Sequence, residues 1–416
     1  MTLPYRVGFA KADITPPMGT PYLGHVPRHP PLRGVHDPLY ARATVVAAGE
    51  TRVAIVSTDT LGLPDTLLGK GRRFLGEVKQ EIARRTGLPA SHVMIASNHV
   101  HSSAETLGFR PLPPGARVWL ESLQQAIVAS VAAACADPVP ARLNVARGAA
   151  PGLAFNRRGE DSLDDEVIAL AFTSDRGPEV VLVNYACHPV ILQVQDQVSA
   201  DYVGAMVTAV EQARPGLRGC QFLLGACGDL DPTVGNTKRF EDAEEMGRRL
   251  AAEVLRLLDP PAVDAPAAVR AATTEVAFPS RPLPEAPASS GAEGARLAPF
   301  SLDDEAQVRI AEGTGPFLGE VQLVQLGPAV LAAIPGEPFC SLGRELKAML
   351  APHIGVPVSC ANGYLGYLAP PEAWVAGGYE TELGPWSKVG PEATGLVREA
   401  VRRLLPRVAG GAAYSM

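Results

Sequence analysis

Residues 93–103 read VMIASNHVHSS, an apolar run that leads directly into His99 and His101. The run is typical of a buried strand. On an extended backbone, side chains two positions apart point to the same face, so the two imidazoles should project side by side from the strand end. Such a pair can share a metal ion, or one ring can bind metal while the other moves protons. Taken alone, the rings could equally be buried groups that only satisfy hydrogen bonds.

Apolar strand-like runs alternate with helical patterns along the rest of the chain. This alternation predicts an α/β fold with a mixed, mostly parallel β-sheet. Short strands without strict polar alternation indicate that helices cover both faces of the sheet. The predicted strands are residues 43–48, 53–58, 92–97, 167–172, 180–185, 221–225, 269–278, 321–326 and 330–334. The predicted helices are residues 67–85, 118–136, 203–214, 242–258, 302–312, 339–350 and 392–404.

The chain has 416 residues, 46% of them hydrophobic, and a net charge of -7. We predict a single domain over residues 1–416, with a Pro/Ala-rich loop or linker at 279–299. The acidic balance and the lack of a basic run argue against a nucleic-acid partner. No apolar stretch is long enough to predict stable membrane insertion. The six cysteines form no Cys-x-x-Cys pair and no signal peptide is evident, so we expect a cytoplasmic protein, with secretion left open.

Several other apolar runs also end in polar residues. His188 follows one run, Asp229 and Asp231 follow another, and Glu337 follows a third. The loops beyond the carboxyl ends of strands in α/β proteins gather into one site. Two histidines and a glutamate from three such loops are the ligand set of a hydrolytic zinc site.

Each of these residues has a plainer explanation when it is taken alone. His188 could hydrogen-bond within a turn, and Glu337 could cap the helix that follows it. Asp229 and Asp231 could be turn formers. The tyrosines Tyr364, Tyr367 and Tyr379 could be packing aromatics, and His25, His29 and His36 could be ordinary loop residues. The prediction of a site therefore depends on the whole set.

The order of these motifs resembles the neutral/alkaline (non-lysosomal) ceramidase family, specifically its N-terminal catalytic domain. The resemblance runs from residue 7 to residue 380, and each single motif is short. The matching segments are GFAKADIT (8–15), NHVHS (98–102), YACHP (185–189), SADYVG (199–204), GDLDP (228–232), PGEP (335–338) and NGYLGY (362–367) with YE (379–380).

The resemblance implies a ceramidase-like fold and one Zn²⁺ held by His99, His188, Glu337 and Tyr367. It also implies that His101, Arg157 and Tyr379 position the substrate and stabilise developing charge. The chemistry is consistent with this, because bound zinc lowers the pKa of water to about 7 and polarises a carbonyl. A histidine beside the ligands can take and return a proton.

The sequence departs from the family pattern at Asp231, where the family has a serine that is implicated in catalysis. A carboxylate there could act as a base, bind a substrate amine or add a metal ligand, and we include Asp231 among the catalytic residues. The 416 residues show no counterpart of the family's C-terminal immunoglobulin-like domain. We therefore expect the amide chemistry of the family without assuming its lipid substrate.

The expected activity is zinc-dependent hydrolysis of a linear amide C–N bond in a small N-acyl or amide compound. An ester or lactone hydrolase on the same site and a non-catalytic metal- or carbohydrate-binding protein are the alternatives. Association into a homo-oligomer is left open. A second metal is also left open, with Asp13, His36, Asp59, Asp201 or Asp229 as outer ligands, although Asp13 and Asp59 are expected to brace turns.

Overall fold

The computed structural model describes residues 3–20, 32–69, 71–104, 106–107, 114–193, 195–259, 267–281, 316–382, 384 and 386–409. The helix predicted at 302–312 and most of the loop predicted at 279–299 lie outside these residues. Seven α-helices occur in the described part: α1 (Phe74–Thr86), α2 (Pro114–Ala136), α3 (Asp201–Ala213), α4 (Phe240–Leu258), α5 (Cys340–Met349), α6 (Pro371–Ala376) and α7 (Ala393–Val408). Short 3-10 helices cover Ala90–His92 and Tyr379–Thr381.

Eighteen strands are described, of which twelve form two main sheets. The strands are β1 (Tyr5–Asp13), β2 (Gly34–Val35), β3 (Tyr40–Ala48), β4 (Thr51–Thr58), β5 (Val93–Ser97), β6 (Val139–Ala149), β7 (Ala154–Asn156), β8 (Glu166–Ser174), β9 (Gly177–Tyr185), β10 (Gln197–Val198), β11 (Gly219–Leu224), β12 (Leu230–Pro232), β13 (Val269–Phe278), β14 (Phe317–Leu326), β15 (Ala329–Ala333), β16 (Glu337–Pro338), β17 (Ile354–Val358) and β18 (Tyr367–Leu368).

The larger sheet has eight strands in the order β11-β9-β8-β6-β1-β3-β4-β5, and the smaller has four in the order β13-β14-β15-β17. Within the larger sheet, the pairs β11–β9 and β4–β5 are parallel and the other five are antiparallel. The predicted α/β class and mixed sheet are confirmed, but the prediction of a mostly parallel sheet is wrong. Tight turns at Gly49 and Gly177 join β3 to β4 and β8 to β9 as antiparallel hairpins. The apolar pattern marks these strands but does not give their direction.

The two sheets pack face to face between layers of helices. Successive residues of a strand point to opposite faces of the sheet. In β4, Val56 therefore packs in the core beneath helices α1 and α2, whereas Ile55 packs in the core between the two sheets. One face of the larger sheet is covered by α1 and α2 over β3–β5 and by α3 and α4 over β8, β9 and β11. Its other face packs on the smaller sheet, whose outer face carries α5 and α7. The expectation of helices on both faces of one sheet is therefore corrected.

Three strands of the main sheets escaped prediction. β1 and β6 lie next to each other inside the larger sheet, yet polar side chains interrupt the apolar pattern of both. In β1 these side chains are exposed, as at Lys11, and in β6 they are half-buried, as at Arg142 and Asn144. β17 is short and contains a proline. The helix predicted to begin at residue 67 begins at Phe74 instead, because Gly69 and Gly71 before it have positive φ.

Helix α2 contains a stretch, Arg117–Ala136, that is long and apolar enough to cross a membrane by length and composition. Half of this stretch is buried. Trp119, Leu120 and Ile127 belong to the core between α2 and the larger sheet. Packing on the sheet accounts for the apolar face of this helix, and the expectation on membrane insertion stays a prediction.

The carboxyl ends of several strands meet at one end of the two sheets. Beyond β17, Ser359 N–H donates to the carbonyl of Leu224 at the end of β11 (2.8 Å). Asn362 N–H donates to the carbonyl of Ile95 in β5 (2.7 Å). These bonds bring the loops after β5, β11 and β17 together, which is where the sequence places its polar segments.

Candidate metal centre

The two histidines after β5 come together, although by a different geometry from the one expected. β5 ends at Ser97, and His99 has a positive φ of 60°. The backbone is therefore not extended here, and the alternation of strand side chains does not apply. The rings of His99 and His101 nevertheless meet edge to face, with centroids 4.8 Å apart. The left-handed turn at His99 directs both rings into the space at the strand ends.

His188 and Glu337 join His99 in the buried centre of this space. Oε2 of Glu337 lies 2.9 Å from Nε2 of His188 and 3.1 Å from Nε2 of His99. All three side chains are almost completely buried. Three residues that the sequence assigned to a metal site thus present three ligand atoms to one point.

The hydrogen bonds of the two imidazoles define which nitrogen faces Glu337 with a lone pair. Nδ1 of His99 lies 2.6 Å from the carbonyl of Leu61, and Nδ1 of His188 lies 3.1 Å from that of Leu230. A carbonyl only accepts, so both Nδ1 atoms carry the proton. In the neutral rings, both Nε2 atoms then face a carboxylate oxygen as acceptors. A cation satisfies this set of acceptors, and carbonyl-anchored histidines are the usual arrangement around a metal.

Glu337 is kept ionised in this centre. Burial raises the pKa of the Glu337 carboxyl, but when His99 and His188 carry a second proton on Nε2, their charge and hydrogen bonds outweigh burial and hold that pKa well below its usual range. A cation bound at the same place replaces those two protons and acts in the same direction. Its second oxygen, Oε1, accepts a 2.5 Å hydrogen bond from the hydroxyl of Tyr364. The capping role considered for Glu337 belongs to Asp229, whose Oδ1 accepts from Cys340 N–H at the start of α5 (2.7 Å).

His101 completes a cluster of three histidines with metal-ligand spacing. The ligand nitrogens of His99, His101 and His188 all lie within 4.8 Å of one another. His101 is less buried than the other two, and its ring centroid is 6.1 Å from that of His188. It is close enough to add a ligand or to exchange protons beside the centre.

Tyr367 and Tyr379 lie on the side of the centre that carries Arg157. The short parallel pair β16–β18 places Tyr367 beside Glu337, and its ring centroid is 6.3 Å from that of His188. The guanidinium of Arg157 lies 5.4 Å from the Tyr367 ring and 5.8 Å from the Tyr379 ring. Burial raises the pKa of the Tyr367 hydroxyl well above its ordinary value, although Arg157 lowers it.

The guanidinium of Arg157 is held by three acceptors. It donates to Oδ1 of Asp231 (3.0 Å), to Oε1 of Glu380 (2.8 Å) and to the carbonyl of Gly228 (2.7 Å). Burial alone would lower the pKa of Arg157, but Tyr367, Asp231 and Glu380 raise it well above the ordinary value. Arg157 is thus a fixed positive charge next to the two tyrosines.

Asp231 is the most exposed acidic side chain of this network. Its side chain is 25% exposed, and its Oδ1 lies 3.8 Å from Nδ1 of His188 in addition to its bond from Arg157. The antiparallel pairing of β12 with β7 places Asp231 opposite Phe155, two residues before Arg157. This arrangement joins Asp231 to both the histidine cluster and the guanidinium.

The residues considered as outer ligands of a second metal are engaged with protein groups. Asp13 braces a turn as expected, whereas Asp59 has a structural role of another kind, because its partners Tyr40, Arg42 and Asn98 lie on other segments. Asp13 accepts from Thr15 N–H, and Asp59 accepts from Tyr40 N–H, Arg42 and Asn98. Asp201 accepts from the N–H groups of Leu192 and Tyr202, and Asp229 accepts from Cys340 N–H and Asn156. His36 contacts Asp37 and stacks on Phe240. His25 and His29 lie outside the described residues.

Sequence reasoning missed three residues of this site. Tyr364 lies within a matched segment, but its residue type there does not distinguish a site residue from a packing aromatic, and its hydroxyl donates to Glu337. Glu380 and Arg158 form a 2.7 Å pair that extends the Arg157 network. The signal for Tyr364 and Glu380 was their place in the matched segments, whereas the interaction with Arg158 depends on the fold alone.

The fold is similar to that of two solved ceramidase structures. The crystal structure of neutral ceramidase from Pseudomonas aeruginosa matches 98% of this chain and 75% of its own, with a TM-score of 0.78 and 18% identity. A structure described as ceramidase complexed with C2 matches 97% of this chain and 76% of its own, with a TM-score of 0.78 and 19% identity. The chain therefore has the ceramidase fold, which confirms at the level of the fold the resemblance seen in the motifs.

One curated relative matches a short segment of the sequence. The neutral ceramidase of Mycobacterium tuberculosis is 34% identical over a 90-residue alignment that covers 19% of this chain. The matched segment spans 14% of that relative's length. No protein-family profile matches the chain.

Proposed function

We propose that this protein is a zinc-dependent hydrolase that cleaves the amide bond of an N-acyl compound with water. The observation that carries the proposal is the convergence of three acceptor atoms, Nε2 of His99, Nε2 of His188 and Oε2 of Glu337, in a buried centre. The ceramidase fold supports an amide substrate, because both similar structures are described as ceramidases.

In this proposal His99, His188, Glu337 and Tyr367 hold the zinc ion. The residues present fit the ion, because Leu61 and Leu230 fix the two Nε2 lone pairs toward the Glu337 carboxylate. When bound, zinc supplies Lewis acidity that activates water and polarises the scissile carbonyl.

The surrounding side chains supply proton transfer and charge. His101 takes the proton from the attacking water and returns it to the amine as the C–N bond breaks. The Tyr379 hydroxyl donates a hydrogen bond to the carbonyl oxygen as negative charge develops there. Arg157 supplies positive charge beside the carbonyl oxygen, and three of its five N–H groups already donate to protein acceptors. Asp231 holds Arg157, and in this proposal it accepts a hydrogen bond from the leaving amine.

The first test is metal content by plasma mass spectrometry on wild type and His188→Ala. We expect about one zinc per wild-type chain and its loss in the variant. His353→Ala, in the turn before β17, is the control and should keep the metal. No metal in either protein, with none taken up on adding zinc, would contradict the proposal.

The second test separates metal binding from turnover on a panel of N-acyl amides and matched esters. His101→Ala should keep its zinc and lose about 100-fold or more of its amide hydrolysis, because a positioned acid–base group contributes at least that much. Unchanged turnover in this variant would exclude the role of His101. Hydrolysis of the esters alone would replace the amide substrate with an ester.

A further inference from the structure

We infer that Tyr364 is a positioning residue that holds Glu337 in one orientation and thereby sets the affinity of the metal centre. The inference rests on the proposed function only in that the centre binds zinc. It assigns a role to a buried tyrosine that contacts a carboxylate rather than the reacting atoms.

The two oxygens of Glu337 have different partners. The Tyr364 hydroxyl donates to Oε1 at 2.5 Å, which leaves Oε2 to face both imidazole nitrogens. A carboxylate without that donor could rotate or present both oxygens to a cation. The hydroxyl therefore selects a single oxygen for the ion and satisfies the other, which would be a costly unpaired acceptor in this buried place.

The Tyr364 ring is held firmly enough to act in this way. It is only 3% exposed, and it lies parallel to the His99 ring at 6.0 Å between centroids and 23° between planes. On another side it packs against Gly62, where an added Cβ would lie 2.9 Å from the ring. The backbone at Gly62 can approach this closely only because the residue has no side chain.

The turn that carries Tyr364 is tied to the strand that leads to His99. Asn362 has a positive φ of 60°, and its N–H donates to the carbonyl of Ile95 in β5 (2.7 Å). Its side-chain Oδ1 accepts from Ile95 N–H (3.0 Å). The tyrosine that orients Glu337 and the strand before His99 are thus one hydrogen-bonded unit, so the relative position of the two ligands is set from both sides.

The test is the zinc dissociation constant of Tyr364→Phe, measured by competition with a chromophoric chelator. We expect about 10- to 100-fold weaker binding than wild type, the usual effect of losing a group that orients a ligand. Tyr5→Phe is the matched control, since it also removes a buried hydroxyl, one that accepts from Ala268 N–H (3.2 Å) far from the centre. Its zinc affinity should equal that of wild type.

The visible absorption of the cobalt-substituted proteins provides a second readout that does not depend on activity. A changed spectrum in Tyr364→Phe, with an unchanged one in Tyr5→Phe, is expected if the carboxylate alters its binding. If Tyr364→Phe does not fold, Gly62→Ala displaces the same ring without removing the hydroxyl, and it should weaken zinc binding too.

The possible failures are distinguishable. Equal zinc affinity and equal spectra in wild type and a folded Tyr364→Phe would overturn the inference and leave the proposed function intact. If Tyr364→Phe does not fold, unchanged affinity in Gly62→Ala overturns it. A wild-type protein that binds no zinc would overturn both.

Discussion

Two buried carboxylates show how single residues acquire opposite charge preferences in this protein. Glu337 faces the rings of His99 and His188, and its pKa lies well below the ordinary value. Asp201 is equally buried but accepts mainly from backbone N–H groups, and burial raises its pKa to about 7. The positive charge of neighbouring imidazolium rings thus outweighs the cost of burying the Glu337 carboxylate, whereas backbone N–H groups do not outweigh that cost at Asp201.

We expect Asp201 to make the protein less stable as the pH rises. An unfolded aspartate loses its proton near pH 4, whereas the folded side chain keeps it to about pH 7. Between these values the folded state binds more protons, so the free energy of unfolding falls with rising pH, by up to about 1.4 kcal/mol per unit. The Asp201→Asn variant lacks this pH-dependent contribution to stability. It is also less stable than wild type overall, because an asparagine amide has one acceptor oxygen where Asp201 uses two.

The measurement is urea unfolding of wild type and Asp201→Asn at several values between about pH 4.5 and pH 6.5. The difference between the two free energies should shrink as the pH rises. Asp175→Asn, at an exposed hairpin turn, is the control, and its difference from wild type should stay constant. A constant difference for Asp201→Asn would show that the carboxyl is ionised throughout this range.

At the scale of elements, the contact between α2 and β1 depends on a glycine within the first sequence motif. Gly8 lies in β1, inside the larger sheet, and a Cβ added there would be 1.8 Å from the carbonyl oxygen of Ala134 in α2. Backbone cannot move aside as a flexible side chain can. The glycine that opens the motif at residues 8–15 therefore has a packing role and need not contact substrate.

Gly8→Ala should lower the free energy of unfolding by about 3 kcal/mol, at the upper end of the usual cost of overpacking, because it forces helix and sheet apart. Thermal and urea unfolding measure the change. Gly395→Ala is the control: it lies in α7 with no atom within 4 Å of the added Cβ, and the change should stabilise by up to about 1 kcal/mol. Equal stability of Gly8→Ala and wild type would disprove the close contact.

At the scale of the whole molecule, the candidate centre connects the two sheets. His99 and His188 follow strands of the larger sheet, whereas Glu337 and Tyr364 follow strands of the smaller one. In the proposed function, an ion bound between them would stabilise the packing of one sheet on the other. Because the ligands come from two layers, the unfolded chain does not hold them together as a site. Metal binding therefore favours the folded state.

Removal of the metal should therefore lower the stability of the entire domain. Wild type in excess zinc, at about a thousand times the dissociation constant, should unfold with a free energy about 4 kcal/mol higher than after treatment with a chelator. His188→Ala should respond little to either condition. The same unfolding midpoint for wild type with and without chelator would contradict a link between metal binding and stability.

Much of this architecture was predictable because it is encoded locally. Apolar runs such as 180–185 marked the strands, and the polar residues after them marked the site, since strand ends gather at one edge. His99, His188 and Glu337 all follow such runs, and they converge. The alternation of helices and strands was sufficient for the α/β class.

The tertiary structure decided the direction of the strands, the packing of sheet on sheet and the orientation of the site groups. Apolar periodicity shows that a residue is buried but not which partner buries it, so antiparallel pairing and the second sheet were not readable from the sequence. The left-handed backbone at His99, the bond from Tyr364 to Glu337 and the three acceptors of Arg157 arise from segments far apart in the chain. These contacts form only when both sheets are assembled, which is why the sequence alone determined the ligand types while the fold determined their geometry.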